Sequence, residues 1–80
     1  MRFVESKNFH RSEKDTTLFT AEVSAVGSPG GRFILETDQG NIEFEYQRTD
    51  RDASNEDILG WHFTEVSPSK NKHRVLIIND

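Results

Sequence analysis

Asp50, Asp52, Ser54 and Glu56 place an oxygen at every second position of the segment TDRDASNED. Oxygens of this kind are the ligands that calcium and magnesium take. A calcium-binding loop beginning at Asp50 would also need glycine at the position of Asn55 and a terminal glutamate at the position of Trp61. Both defining positions fail. The segment therefore reads as a solvated connector, with weak divalent-ion binding as the lesser alternative, and no metal site or cofactor is implied.

Imidazoles ligate zinc and exchange protons near neutral pH, but His10, His62 and His73 lie far apart and show no ligand spacing. Surface or sheet-packing histidine is the plain reading. His62, between Trp61 and Phe63, could direct its ring toward Asp57 or Glu65. Asp50, Asp52 and Glu65 could divide acid and base roles only in a shared pocket, for which the sequence gives no sign. Ser24, Ser28 and Ser54 lack a nucleophile elbow. The run Gly27-Ser28-Pro29-Gly30-Gly31 lacks the Lys-Ser or Lys-Thr pair of a phosphate loop, so it reads as a connecting turn.

Recognition chemistry offers more than catalysis. Trp61 is the first candidate for a binding anchor, because aromatic area carries interface energy when it is exposed. Arg32, Arg48 and Arg51 could supplement such a contact, while Glu43 and Glu45 would select against an acidic partner. A second candidate surface is basic. Arg2, Lys7, Arg11 and Lys14 would join Lys70, Lys72 and Arg74 if the terminal strands were neighbours, with Phe9 or Trp61 as a stacking platform for single-stranded nucleic acid.

These residues sit on a chain of 80 with a formal charge of −4, 32% hydrophobic residues, six Phe and no Cys. The length fits one domain, and the apolar content supports a core of modest stability that a subunit contact could supplement. The absence of cysteine excludes a disulfide framework and a thiolate nucleophile. No apolar run approaches a membrane span, and the opening MRFVESKNFHRSEKD holds no secretory h-region, so a cytoplasmic protein with no membrane partner is expected. Charge is uneven. Glu36 to Asp57 holds eight acidic residues against two arginines, a local net of −6, while the ends carry most of the basic residues. That polarity suits solubility, oriented recognition or self-association.

Periodicity supplies the elements. Phe33 and Leu35 alternate with Arg32, Ile34 and Glu36, and Ile42, Phe44 and Tyr46 alternate with Glu43, Glu45 and Gln47. Asp38-Gln39-Gly40-Asn41 joins the two runs as an antiparallel hairpin. Further strands are expected over Arg2–His10, over Leu18–Val26 with Phe19, Ala21, Val23 and Ala25 in one row, and over Ile58–Val66 with Leu59, Trp61 and Phe63 on one face. A last one, Arg74–Ile78, is apolar on both faces and so should be central or lie partly in a subunit contact. A short helical turn capped by Ser54 is expected near Ser54–Ile58.

The resulting fold class is all-β: a small single-domain antiparallel barrel, or a strongly bent β-sandwich, of five or six strands over residues 1–80. The leading functional expectation is a protein-binding, assembly or regulatory module, acting on a protein partner or by self-association at an exposed sheet edge. Single-stranded nucleic-acid binding ranks second. A small enzyme using surface carboxylates ranks last.

Overall fold

The computed structural model describes residues 1–12, 23, 25–66 and 72–80. Five strands form one antiparallel sheet: β1 (Arg2–Glu5), β2 (Arg32–Thr37), β3 (Gly40–Arg51), β4 (Ile58–Glu65) and β5 (Arg74–Ile78). Their spatial order is β1-β5-β4-β3-β2. The sheet is curled into a half-barrel, the all-β architecture the alternation predicts, and one bent sheet replaces the sandwich alternative.

The β2–β3 hairpin matches its sequence closely. Phe33 pairs with Phe44, and Leu35 with Ile42, so the apolar rows of both strands share the inner face. Gly40 closes the turn at φ 97°, a conformation that glycine enters without steric penalty. Thr37 locks the same turn, its hydroxyl donating to the Gly40 carbonyl at 2.7 Å and accepting from the Gln39 amide at 3.1 Å. β5 is internal, as its two-sided apolar pattern requires. Val75 and Ile77 are buried inside, while Leu76 and Ile78 are half-buried on the outer face.

Two irregularities break the period of two. In β3, Tyr46 pairs with Phe63 but Arg48 pairs with His62, so Gln47 is an extra residue. In β4, Asp50 pairs with Gly60 but Arg51 pairs with Ile58, so Leu59 is extra. Each bulge reverses the facing of the strand residues beyond it. Leu59, expected on the core face, is therefore 49% exposed, and Ile58 packs on the core in its place.

The concave side is filled by Phe9, Val23, Leu35, Ile42, Phe44, Trp61, Phe63, Val75 and Ile77. Phe9 comes from a strap after β1, which is shorter than the expected Arg2–His10 because the chain leaves the sheet edge at Ser6. The strap crosses to the far edge of the sheet. Its Arg11 amide donates to Glu5 Oε1 at 2.7 Å, and the Arg11 guanidinium lies over the Phe3 ring at 4.9 Å. On the other side, the Ser12 amide donates to the Glu36 carbonyl at 2.8 Å and the Asp38 amide to the His10 carbonyl at 3.0 Å. The Gln39 side chain also donates to the Asn8 carbonyl. The strap thus ties the two edge strands together over Phe9.

The expected strand over Leu18–Val26 is corrected where it is described. Val23, Ala25 and Val26 are helical, and the Gly27 amide donates to the Val23 carbonyl at 2.8 Å. Residues 18–22 and 24 of that span lie outside the described residues. The three-residue step from Val23 to Val26 suits one helix face as well as a strand suits Val23 and Ala25, and Val23 is buried against the sheet. The helical turn expected near Ser54 is instead a tight turn capped by Asp52. Its Oδ1 accepts the Ser54 amide at 2.8 Å, the Ser54 hydroxyl at 2.5 Å and the Asn55 amide at 3.3 Å. Among the described residues no helix is long and apolar enough to cross a membrane.

Candidate functional site

The bulge at Gln47 builds the most polar feature of the outer face. Uninterrupted alternation would carry Arg48 and Asp50 inward behind Ile42, Phe44 and Tyr46. With Gln47 inserted, Thr49 turns inward beside Trp61, and Arg48 and Asp50 face out. The Tyr46 and Thr49 hydroxyls, 2.7 Å apart, hydrogen-bond to each other across the bulge.

On the outer face, Arg48 stands opposite His62 and Asp50 opposite Gly60. Since glycine presents no side chain there, the Asp50 carboxylate reaches diagonally to His62, with Oδ2 2.5 Å from Nε2. Its other oxygen accepts from Arg48 Nε at 3.3 Å. The hydrogen bond from His62, together with the weaker one from Arg48, outweighs partial desolvation and holds the Asp50 carboxyl below the ordinary aspartate pKa. This corrects the expected direction of His62, because neither Asp57 nor Glu65 is its partner. Glu65 lies on the inner side and accepts from the buried His73, whose Nδ1 and backbone amide are each 3.2 Å from Oε2. The His73 ring meets Phe9 edge-on at 4.7 Å, so this histidine packs the core under the strap.

Arg48 and His62 border a groove of about 610 Å³ that Gln47, Phe63, Thr64 and Arg74 complete. Its residues come from β3, β4 and β5, three hydrogen-bonded strands. The polar groups are an amide, a hydroxyl, an imidazole and two guanidiniums. Such a set can donate hydrogen bonds to an anion or position a proton through the Asp50–His62 pair. Gln47 and Thr64 were not identified from sequence, and the only available signal was the misfit of Arg48 and Asp50 to the core face.

The expected protein-binding residues divide among four places. Arg32 bridges Glu43 at 3.5 Å and Glu45 at 3.7 Å on the outer face of the β2–β3 hairpin. Arg48 belongs to the groove, and Arg51 donates to the Glu56 carbonyl at 3.1 Å, bracing the turn after β3. Trp61 does not meet the condition of exposure attached to it. It is 6% exposed and part of the core.

Of the expected nucleic-acid surface, the terminal strands β1 and β5 are neighbours. Antiparallel pairing sets Arg2 beside Ile78, at the far end of β5 from Arg74. Arg2 lies 3.6 Å from Asp80, and Arg11 lies 4.0 Å from Glu5. Lys7 and Lys72 are exposed at the end of the sheet where β5 begins. Lys14 and Lys70 lie outside the described residues.

The sheet edge is the second candidate surface. Gly31 bonds to Tyr46 across the β2–β3 ladder, so the odd-numbered residues of β2 point their amide groups at β3 and the even-numbered ones point away. The strap takes up the far end, where it bridges Thr37 and bonds to Glu36 and Asp38. No strand adjoins the outward backbone groups of Arg32 and Ile34 among the described residues. Ile34 is 60% exposed there, beside a depression of about 360 Å³ lined by Arg32, Phe33, Ile34 and Glu43.

Compared with protein-family models, with curated proteins and with solved structures, the chain matches none.

Proposed function

We propose that the domain is a protein-binding or assembly module that receives an extended segment of a partner along β2. The observation that carries this reading is the half of that edge strand which, among the described residues, no strand adjoins. Arg32 and Ile34 turn two N–H and two C=O groups away from β3, with Ile34 exposed between two charged neighbours. Edge strands are usually protected by charge, proline, a bulge or a cover. Among the described residues the strap covers only the Thr37 end, and an isoleucine occupies the middle of the remaining stretch. Strand addition draws affinity from backbone hydrogen bonds and selectivity from alternate side chains. Ile34 supplies the apolar contact on the outer face, and the Arg32–Glu43–Glu45 cluster, net negative, disfavours an acidic segment.

The test is Ile34→Glu. An exposed side chain away from core and caps should change stability by no more than about 0.5 kcal/mol, so a thermal melt will separate binding from folding. Tagged wild-type protein is expected to capture a competable partner from native-cell lysate, and the variant to lose it. In the isolated complex, hydrogen exchange should slow at the Arg32 and Ile34 amides. Full capture by the folded variant, or protection elsewhere only, would sink the edge-strand reading.

A further inference from the structure

We propose that the groove on the outer face of β3, β4 and β5 binds the phosphate group of a small phosphorylated molecule. The groove lies away from the β2 edge and does not depend on strand addition there. Its polar lining is Gln47, Arg48, His62, Thr64 and Arg74, with no carboxylate among the described lining residues, on a chain whose formal charge is −4. Asp50 stands beside the groove and holds both His62 and Arg48. A carboxylate behind an imidazole and a guanidinium fixes their orientation and lowers the entropy lost when they bind a ligand.

The arginines themselves separate this place from the rest of the surface. Arg2, Arg11, Arg32 and Arg48 each lie within 4.0 Å of a carboxylate. Arg51 donates to a backbone carbonyl. Arg74, exposed at the groove, has no such acceptor among the described residues. In the ladder, Thr64 stands opposite Arg74, and His62 opposite Arg48. With strands near 4.8 Å apart and a rise near 3.4 Å per residue, the two arginine Cα atoms are roughly 12 Å apart, one on each side of β4. Two extended side chains span that interval from opposite walls. Their forked donors match the several oxygens of a phosphate better than the two of a carboxylate, and Thr64 and Gln47 add neutral donors.

The same surroundings select a small monoester over a nucleic-acid strand. Phe63 turns its ring to the inner face with Trp61 and Tyr46, so among the described residues no lining aromatic is exposed for a base to stack on. Asp50 and Glu45 occupy the adjoining outer-face positions of β3, where the neighbouring phosphates of a polyanion would meet like charge.

The experiment is a ¹H–¹⁵N titration of the whole chain with inorganic phosphate, with a mononucleotide and with a short single-stranded oligonucleotide, against chloride at matched ionic strength. Saturable shifts centred on Gln47, Arg48, His62, Thr64 and Arg74 are expected for phosphate and the mononucleotide, and none for chloride. Arg74→Gln and Arg48→Gln, checked for fold by thermal melt, should each weaken binding about tenfold or more. Shifts that track ionic strength alone, saturable shifts centred elsewhere, or unchanged affinity in both variants would overturn the site. An oligonucleotide that binds this groove more tightly than the mononucleotide would overturn the small-molecule assignment.

Discussion

Gly27→Ala sets two effects of opposite sign against each other. The backbone of Gly27 is not in the left-handed region, so a methyl group there should restrict the unfolded chain and stabilise the fold by about 0.4–1 kcal/mol if space allowed. Space does not allow it. A Cβ would lie 2.8 Å from Trp61 Cδ1, 2.9 Å from Nε1 and 2.8 Å from the Val23 carbonyl oxygen. The indole is clamped in the core and the carbonyl is backbone, so neither can yield without moving the helical end or the Trp61 ring. Overpacking of this kind costs about 1–3 kcal/mol, which exceeds the entropic gain. A domain of this size holds only about 4–12 kcal/mol in total, and 1 kcal/mol corresponds to about 4–8 °C in melting temperature. The expected outcome is a melting point lower by roughly 5–15 °C, with altered emission from Trp61, the only tryptophan in the chain. Urea denaturation monitored by that fluorescence measures both at once. An unchanged or raised midpoint with native emission would refute the reasoning, and with it the contact between the helical end and the sheet.

Phe9→Ala removes a ring that is 1% exposed and packs against Phe44 and His73; it should destabilise by about 3–5 kcal/mol, and amide exchange in the strap should accelerate more than in β3 and β4. Acid should weaken the fold through Asp50 and Asp52. Both titrate below the ordinary 3.8, Asp50 through His62 first and Asp52 through the Ser54 hydroxyl and amide first. The native state therefore holds fewer protons than the unfolded chain near that value, so the stabilisation is complete at higher pH and disappears as pH falls through the folded-state pKa. Carbon-13 titration of the two carboxyls should give midpoints under 3.8. Asp50→Asn should flatten the acid limb of the stability curve by less than about 1 kcal/mol, because the pair is partly exposed and screened. An identical limb in the variant would count against the Asp50–His62 bond.

The hairpin was legible because three local signals agreed: alternation in Arg32–Glu36, alternation in Ile42–Gln47, and a glycine where the turn needs positive φ. β5 was legible from Val75-Leu76-Ile77-Ile78, which only an internal strand buries on one face and half-buries on the other. Val23 to Val26 was misread because a short apolar run fits both periods, and its outcome turns on packing against Trp61 through Gly27, a contact 34 residues away in the chain. The strap was hidden for a related reason. Its course is set by backbone bonds to Glu36 and Asp38, and backbone donors leave no mark on composition.

Trp61 and Arg48 show how the site escaped a reading based on residue type. Aromatic area suggests an interface only when the fold leaves it outside, and here Trp61 fills the core beside Gly27 and Val23. Arg48 and Asp50 carry the opposite lesson. Continued in register from Ile42, Phe44 and Tyr46, they would bury two charges among phenylalanines, a penalty of several kcal/mol per ion. One extra residue at Gln47 avoids that penalty by reversing the facing of the strand, and it thereby sets Arg48 opposite His62 and Asp50 within reach of both. The bulge that protects the core therefore also assembles the groove. Its lining side chains, apart from Phe63, stand on the outer face of a sheet whose stability comes from the inner one. Substitutions at Arg48, His62, Thr64 or Arg74 can therefore alter ligand chemistry with little change in the packing that holds the strands in place.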